Sequence, residues 1–285
     1  MYNFDSTVKK VLTERLEKIE NHLDSDVVFF FGAIQPTLDK RFRDFIEALK
    51  QDPNTRDKLS IIVNTPGGSA ETVEKMVNVT RNHYQEVDFI VPDSAMSAGT
   101  IFCMSGDNIW MDYSSSLGPI DPQVFNGNSW VPALGYLDKV EELIEKSRQN
   151  QLTQAEFVML QNQDLAKLTS YEQARDLTVS LLKEWLVQYK FKNWSNHSSS
   201  GNPVTLEEKQ QRAEDIAKKL GDNRRWHSHG RSIGMKTLTT ELKLQIQDFG
   251  QDATLTHLIR DYNDMICEYI TRSGNQSFLH SRVYF

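Results

Sequence analysis

Four short apolar runs divide the first part of the chain, and segments of mixed polarity separate them. Each run is apolar at largely consecutive positions, which is typical of strands that a parallel sheet buries on both faces. The segments between the runs repeat their apolar residues with a helical period. The pattern therefore predicts an α/β fold, a βαβ sheet with strands at Val27–Gly32, Leu59–Asn64, Asp88–Val91 and Asn108–Met111.

Helices are predicted before and between these strands. Residues 6–23 carry one apolar face, and a second helix is expected over residues 37–51. Ser69 precedes the third helix and is expected to cap it, because a serine side chain accepts a hydrogen bond from an N–H of the first turn. A short fourth helix is expected over Ser97–Gly106.

The chain becomes polar and strongly helical after residue 134. Helices are expected at Leu137–Arg148, Gln154–Gln161 and Gln173–Tyr189, and Thr205 with Glu208 has the pattern of a capping box that opens another helix. We therefore divide the chain into an N-terminal helix (1–25), an α/β core (26–135), a helical extension (136–225), and a C-terminal part of the core with a final helix (226–285).

Composition narrows the classes of function. The chain has 285 residues, of which 39% are hydrophobic and 25% charged, so it can bury a large core. Its net charge of −7 argues against a nucleic-acid partner. The two cysteines, Cys103 and Cys267, are expected to be separate thiols in a reducing compartment.

The same features predict a cytoplasmic protein. The first residues are charged and helical rather than typical of a signal peptide. The longest apolar run, Val27–Ile34, is too short to cross a bilayer. No transmembrane segment is therefore expected, although a peripheral contact with a membrane or an adaptor stays open.

Two turns at strand ends suggest the chemistry. The segment Leu59–Ala70 ends in Gly67 and Gly68, and the segment Val87–Gly106 contains Ser97 on a bend of small residues. A serine at a strand-to-helix elbow exposes its hydroxyl, and the N–H of the next residue points to the same side. A glycine turn on a neighbouring strand can supply a second N–H, which completes a nucleophile with an oxyanion hole. The implied chemistry is acyl transfer.

The order of these motifs resembles a known family. TPGGSA on one turn, SAMSAG about thirty residues later and LGPIDPQ after the next strand are similar to the Clp-fold peptidases of the ClpP/crotonase superfamily, near the signal-peptide-peptidase-A and NfeD-type branch. The chain is most similar to the SDH-family serine dehydrogenase proteinases, well over residues 26–135 and more weakly through HSHGRSIG. The resemblance implies a ClpP/crotonase-like sheet with a large helical insertion and a C-terminal helix. It also implies that Gly68 and Ala98 donate the oxyanion hydrogen bonds, with Gly67 beside them.

The general base is the least determined part of the site. The proteolytic subunit of Clp protease has a histidine just past the next strand, whereas Ser116–Pro122 contains none. The related branches use a lysine instead, in the NfeD type some forty residues after the serine, and Lys139 follows Ser97 by 42 positions. A lysine must be neutral to accept the serine proton, which burial favours. We therefore predict a Ser97–Lys139 dyad, with Lys146 as the fallback.

Two further residues could take part in the site. His229 is a less favoured candidate for the base, and its H-x-H pair with His227 has no third ligand at a suggestive spacing, so no metal is predicted. Asp121 could bind the substrate or orient the base, although a role in holding its own loop is favoured.

The first hypothesis for function is a serine endopeptidase that needs no cofactor and acts on peptides or proteins. Resemblance to ring-forming Clp-fold peptidases implies a homo-oligomer, in which residues 150–222 serve as interface, lid or adaptor contact. A crotonase-like acyl-CoA enzyme is a second hypothesis, but it would need acid or base carboxylates where Ser97 stands. A non-catalytic Clp-fold assembly or binding module is the third.

Overall fold

A computed structural model describes residues 3–125, 128, 130–197 and 201–285. The strands are β1 (Asp26–Gly32), β2 (Lys58–Asn64), β3 (Glu86–Ile90), β4 (Ser94–Ala95), β5 (Asn108–Met111), β6 (Ser116–Leu117), β7 (Gln123–Phe125), β8 (Trp130–Pro132), β9 (Ile233–Gly234), β10 (Gln247–Asp248) and β11 (Ser277–His280). The helices are α1 (Asn3–Leu23), α2 (Asp39–Lys50), α3 (Ala70–His83), α4 (Ala98–Met104), α5 (Ala133–Arg148), α6 (Gln154–Gln161), α7 (Leu165–Trp185), α8 (Leu206–Gly221), α9 (Asn223–Trp226), α10 (Met235–Thr240) and α11 (Ala253–Ser273).

The apolar runs form one six-stranded sheet in the order β10-β5-β3-β2-β1-β11. Strands β1, β2, β3 and β5 are parallel neighbours, β10 continues the parallel order, and β11 runs antiparallel to β1. The prediction that β2, β3 and β5 are neighbouring strands of one βαβ sheet is confirmed. The two short strands β10 and β11 were not predicted as strands.

Both faces of this sheet are covered, which explains why its strands are apolar at consecutive positions. In β1, Val28 and Phe30 belong to one buried cluster, which also takes in side chains of α2, α3, α4, α7 and α8. Val27 and Phe29 point to the opposite face and pack with side chains of α1 and α11. Successive side chains of a strand alternate between faces, so each face needs its own apolar set.

A second, three-stranded sheet stands at the carboxyl ends of the main strands. It contains β4, β6 and β9, with β6 parallel to β4 and antiparallel to β9. Thr65, just past the end of β2, connects the two sheets: its N–H bonds to the Ser94 carbonyl and its carbonyl accepts the Met96 N–H. The turns that carry Gly67 and Ser97 therefore lie side by side.

Most predicted helices occur close to their predicted positions. Ser69 caps α3 by accepting a hydrogen bond from the Thr72 N–H, and the capping box of Thr205 and Glu208 opens α8. The largest difference is α7, which starts at Leu165 rather than Gln173. Its start is set by Asp164, whose side chain accepts the N–H groups of the first turn.

The buried histidine of β11 gives a testable pH dependence. His280 is fully buried and its Nδ1 lies 2.7 Å from the hydroxyl of Tyr262. Burial lowers the pKa of His280 to about 3, from 6.5. Below pH 6.5 His280 is therefore protonated in the unfolded chain but stays neutral in the folded protein. As a result, this histidine makes the free energy of unfolding fall as the pH drops.

We expect the free energy of unfolding to fall by roughly 1 kcal/mol per pH unit just below the normal histidine pKa, and this contribution to be missing in His280→Gln. Urea unfolding of both proteins between pH 7 and about 5 measures the two slopes. Equal slopes would show that His280 does not titrate on unfolding.

Candidate active site

Ser97 occupies a strained elbow between β4 and α4. Its backbone has φ 52° and ψ −120°, a region that a residue with a side chain rarely adopts. The bend is held on both sides, since the Met96 N–H bonds to the Thr65 carbonyl and the Thr100 N–H bonds to the Ser97 carbonyl. The Ser97 side chain makes no capping bond to α4. The hydroxyl of Ser97 is therefore not used to cap the start of α4, and Ser97 lines a cavity instead.

The glycine turn packs directly on this elbow. Gly67 and Gly68 have φ of 99° and 151°, where side chains are disfavoured. A Cβ on Gly67 would lie 2.6 Å from the Cβ of Ser97, and a Cβ on Gly68 would lie 1.9 Å from the Ile34 carbonyl oxygen. Both positions therefore require glycine, for conformation and for space.

Two N–H groups at this junction are available to a substrate. The Ser69 N–H bonds to the Ile34 carbonyl, and the Gly67 N–H bonds to Thr65 Oγ1. The N–H groups of Gly68 and Ala98 have no acceptor among the described residues. Unpaired N–H donors beside a serine hydroxyl are what stabilisation of a tetrahedral oxyanion requires.

These groups line one cavity of about 640 Å³. Gly67, Gly68, Ser97 and Ala98 form one part of its wall. Another part includes apolar side chains of α7, among them Leu177. A partly apolar cleft with a few polar groups has the character of a site for a small molecule or a peptide side chain.

A histidine and an aspartate lie in the same cavity. His229 Nδ1 is 2.8 Å from Asp121 Oδ1, and the Asp121 carboxylate also accepts a 2.7 Å bond from Gln123 Nε2. Asp121 is buried, whereas His229 is partly exposed. Because a carboxylate only accepts, the bond fixes the hydrogen of His229 on Nδ1, which leaves Nε2 unprotonated in the neutral ring. Nε2 has no partner in the described part of the chain.

The pairing of β6 with β9 explains how two distant segments meet there. Leu117 of β6 pairs with Ile233 of β9, which places the segment before Ile233 beside the loop after Leu117. The sequence offers Asp121 and His229 as separate candidates, but no periodicity relates residues 108 positions apart. The antiparallel partner of such a short strand is not encoded in a local pattern.

The structure does not bring the predicted lysines to the cavity. Lys139 lies on α5, where its side chain is 54% exposed and its ammonium bonds at 3.0 Å to both carboxylate oxygens of Glu142. Lys146 pairs with Glu142 at 3.2 Å and with Glu156 at 2.7 Å. Neither residue lines the cavity that contains Ser97.

No metal or membrane feature accompanies the site in the described part of the chain. Among residues 3–125, 128, 130–197 and 201–285, no group of three or more His, Cys, Asp or Glu side chains could hold a metal ion. None of the helices in these ranges is long and apolar enough to cross a membrane.

Comparison with known proteins identifies the family. The family of ClpP-like SDH-type serine proteinases matches residues 37–223, and the chain belongs to it. The match includes the glycine turn, Ser97, Asp121 and Lys139, whereas His229 lies beyond it.

Two uncharacterized proteins of Methanocaldococcus jannaschii are similar in sequence. One is 28% identical over 178 residues, which is 61% of this chain and 58% of that protein. The other is 31% identical over 81 residues, which is 28% of this chain and 27% of that protein. The matched segments thus span less than two thirds of either relative.

Two solved structures of a membrane-bound stomatin-specific protease are also similar. A serine-to-alanine mutant aligns with a TM-score of 0.44 at 14% identity, over 78% of this chain and 76% of that chain. A lysine-to-alanine mutant in complex with a substrate peptide aligns with a TM-score of 0.44 at 16% identity, over 78% of this chain and 75% of that chain.

The glycine turn gives the first prediction for the site. Gly68→Ala would force the turn away from Ile34 and displace the Gly68 N–H, so we expect any Ser97-dependent hydrolysis to fall by about 10²–10³-fold. Gly274→Ala is the matched control, because Gly274 also has a positive φ, of 70°, but no atom within 4 Å of the added carbon.

Hydrolysis and thermal unfolding should be measured for both variants. An equal loss of activity in the two, or no loss in Gly68→Ala, would contradict a specific role of this turn.

Proposed function

We propose that the protein is a serine endopeptidase in which Ser97 attacks the peptide carbonyl. The observation that carries the proposal is the strained Ser97 elbow, which lies against a glycine turn and leaves the Gly68 and Ala98 N–H groups without acceptors. A serine hydroxyl and two N–H donors at one point form an acyl-transfer site. Membership of the serine proteinase family agrees with this chemistry.

His229 is the base that the geometry supports best. In the proposed reaction its Nε2 removes the Ser97 proton as the hydroxyl oxygen bonds to the peptide carbon. The Gly68 and Ala98 N–H groups hold the resulting oxyanion. His229 then gives the proton to the leaving amine, and a water molecule hydrolyses the acyl-enzyme by the same route. Asp121 holds the ring through the 2.8 Å contact to Nδ1 and stabilises its charged form.

The Ser97–Lys139 dyad is the alternative mechanism. It rests on the spacing and on the family resemblance described above. For Lys139 to act, its ammonium would have to leave Glu142 and reach the cavity, which Lys139 does not line. Lys146 would have to leave two carboxylates. His229 needs neither change, since it already lines the cavity.

We further propose that the substrates are peptides or proteins and that the protein forms a homo-oligomer. The apolar side chains of α6 support an interface, because none of its residues is buried and Phe157, Val158 and Met159 are all exposed. The cytoplasmic location and a peripheral membrane or adaptor contact stay predictions from the sequence.

Replacement of the nucleophile tests the proposed activity. Ser97→Ala should lower hydrolysis of a fluorogenic peptide library by at least about 10³-fold without unfolding the protein. A fluorophosphonate probe should label the unmodified protein and not Ser97→Ala. Absence of both labelling and hydrolysis in the unmodified protein would favour the non-catalytic module, and binding of coenzyme A would favour the crotonase-like enzyme.

Replacement of each candidate base decides between the two mechanisms. We expect His229→Ala to reduce kcat by roughly 10²–10⁴-fold, and Lys139→Ala to have little effect, because the general base is removed only in the first. Both variants should be compared at the same pH with one peptide substrate. The opposite pattern, a silent His229→Ala and an inactive Lys139→Ala, would establish the lysine dyad and exclude the histidine.

A further inference from the structure

A second cavity, of about 420 Å³, is lined by cationic and amide side chains. It lies past the end of α7 and is bordered by Lys190, Arg212 of α8 and Lys243. The amide side chains of Asn193, Asn196 and Gln245 complete its polar lining, and no carboxylate takes part in it. It shares no lining residue with the cavity of Ser97. A cavity lined by positively charged and amide hydrogen-bond donors, with no carboxylate among them, attracts anions.

The three cationic groups form no close ion pairs with the described part of the chain. None of them forms an ion pair within 4 Å of a carboxylate in the described ranges, although the chain as a whole carries a net charge of −7. Arg212 uses one nitrogen to donate to the Leu242 carbonyl, which fixes its guanidinium and leaves its other donors without a described partner. The side chains of Lys190 and Lys243 have no hydrogen-bond partner among the described residues.

The nearest acids are already occupied. A neighbouring cavity shares Lys190, Asn193 and Gln245 and also contains Glu86 and Asp107. Asp107 is engaged by Arg81 at 2.9 Å and by Lys192, while Glu86 lies 3.2 Å from Lys58. Asp88 and Asp107 favour the charged form of Lys190 and so raise its pKa, but both form their ion pairs with other lysines rather than with Lys190.

Lys190 and Lys243 each have an unfavourable feature that a bound anion would explain. Burial lowers the pKa of Lys190 to about 8, which means that its surroundings disfavour the charge it must carry. Lys243 has a positive φ of 48°, which is unusual for a residue with a side chain. An anion in contact with both side chains would stabilise the buried charge of Lys190. It would also bind the Lys243 side chain in the orientation that the positive φ gives it.

We propose that this cavity binds a small molecule with two or more adjacent anionic oxygen groups, of the pyrophosphate or tricarboxylate kind. Arg212 would bind one group with two parallel N–H bonds, as a guanidinium does with phosphate or carboxylate, and Lys190 and Lys243 would bind as single charges. Trp194 and Phe191 form the apolar part of the wall, against which the uncharged part of a ligand can lie. The volume fits a small molecule rather than a macromolecule.

Calorimetric titration with inorganic pyrophosphate and, separately, with citrate tests the proposal. At least one should bind the full chain at one site per subunit, and Lys243→Gln and Arg212→Gln should each raise its Kd by about tenfold, since a charge-assisted bond is lost. Lys236→Gln, which removes an exposed lysine outside the cavity, should leave Kd unchanged.

Two results would overturn the proposal. One is no binding of either anion at millimolar concentration. The other is an equal loss of affinity in Lys243→Gln and Lys236→Gln, which would show general surface charge rather than a site. Arg212→Gln could destabilise α8, but Lys243 is exposed and bonds to no described residue, so its variant keeps the test decisive.

Discussion

The candidate active site depends on the hydrogen bonds of one buried residue, Thr65. Its main chain pairs with Ser94 and Met96, which ties the serine elbow to the end of β2. Its Oγ1 donates to the Gly32 carbonyl at 2.7 Å and accepts the Gly67 N–H at 3.0 Å, which ties the ends of β1 and β2 to the glycine turn. A single threonine thus fixes the two turns that hold the Ser97 hydroxyl and the Gly68 N–H. Such rigidity is what a strained elbow needs in order to persist.

The small sheet positions the proposed base by a different route. Strand β9 pairs with β6 over only two residues, yet this pairing sets His229 against the buried Asp121. Gln123 occupies the other carboxylate oxygen, so the aspartate is held from two sides. The proposed nucleophile is therefore positioned by the main sheet and the proposed base by the small sheet. The cationic cavity near Lys190 is separate from both.

The sequence predicted the parts of the fold that depend on local patterns. Consecutive apolar residues in β1, β2 and β3 follow from burial on both faces, and caps such as Ser69 follow from a residue and its next turn. The glycine turn and Ser97 could be paired because both follow parallel strands. The contact between Asp121 and His229 could not be predicted from the sequence, because it depends on which strand pairs with the two-residue strand β6. Lys139 is predicted from its spacing and from the family resemblance, and its role stays a prediction; its bond to Glu142, three residues further along α5, is typical of an exposed helical lysine.

The crystal structure of the protein after reaction with a fluorophosphonate would test the central claim most directly. The phosphorus should be bonded to Ser97 Oγ, with its free oxygen within hydrogen-bond distance of the Gly68 and Ala98 nitrogens and with His229 Nε2 facing the Ser97 oxygen. A phosphoryl oxygen that points away from both nitrogens, or a label on another residue, would contradict the site described here.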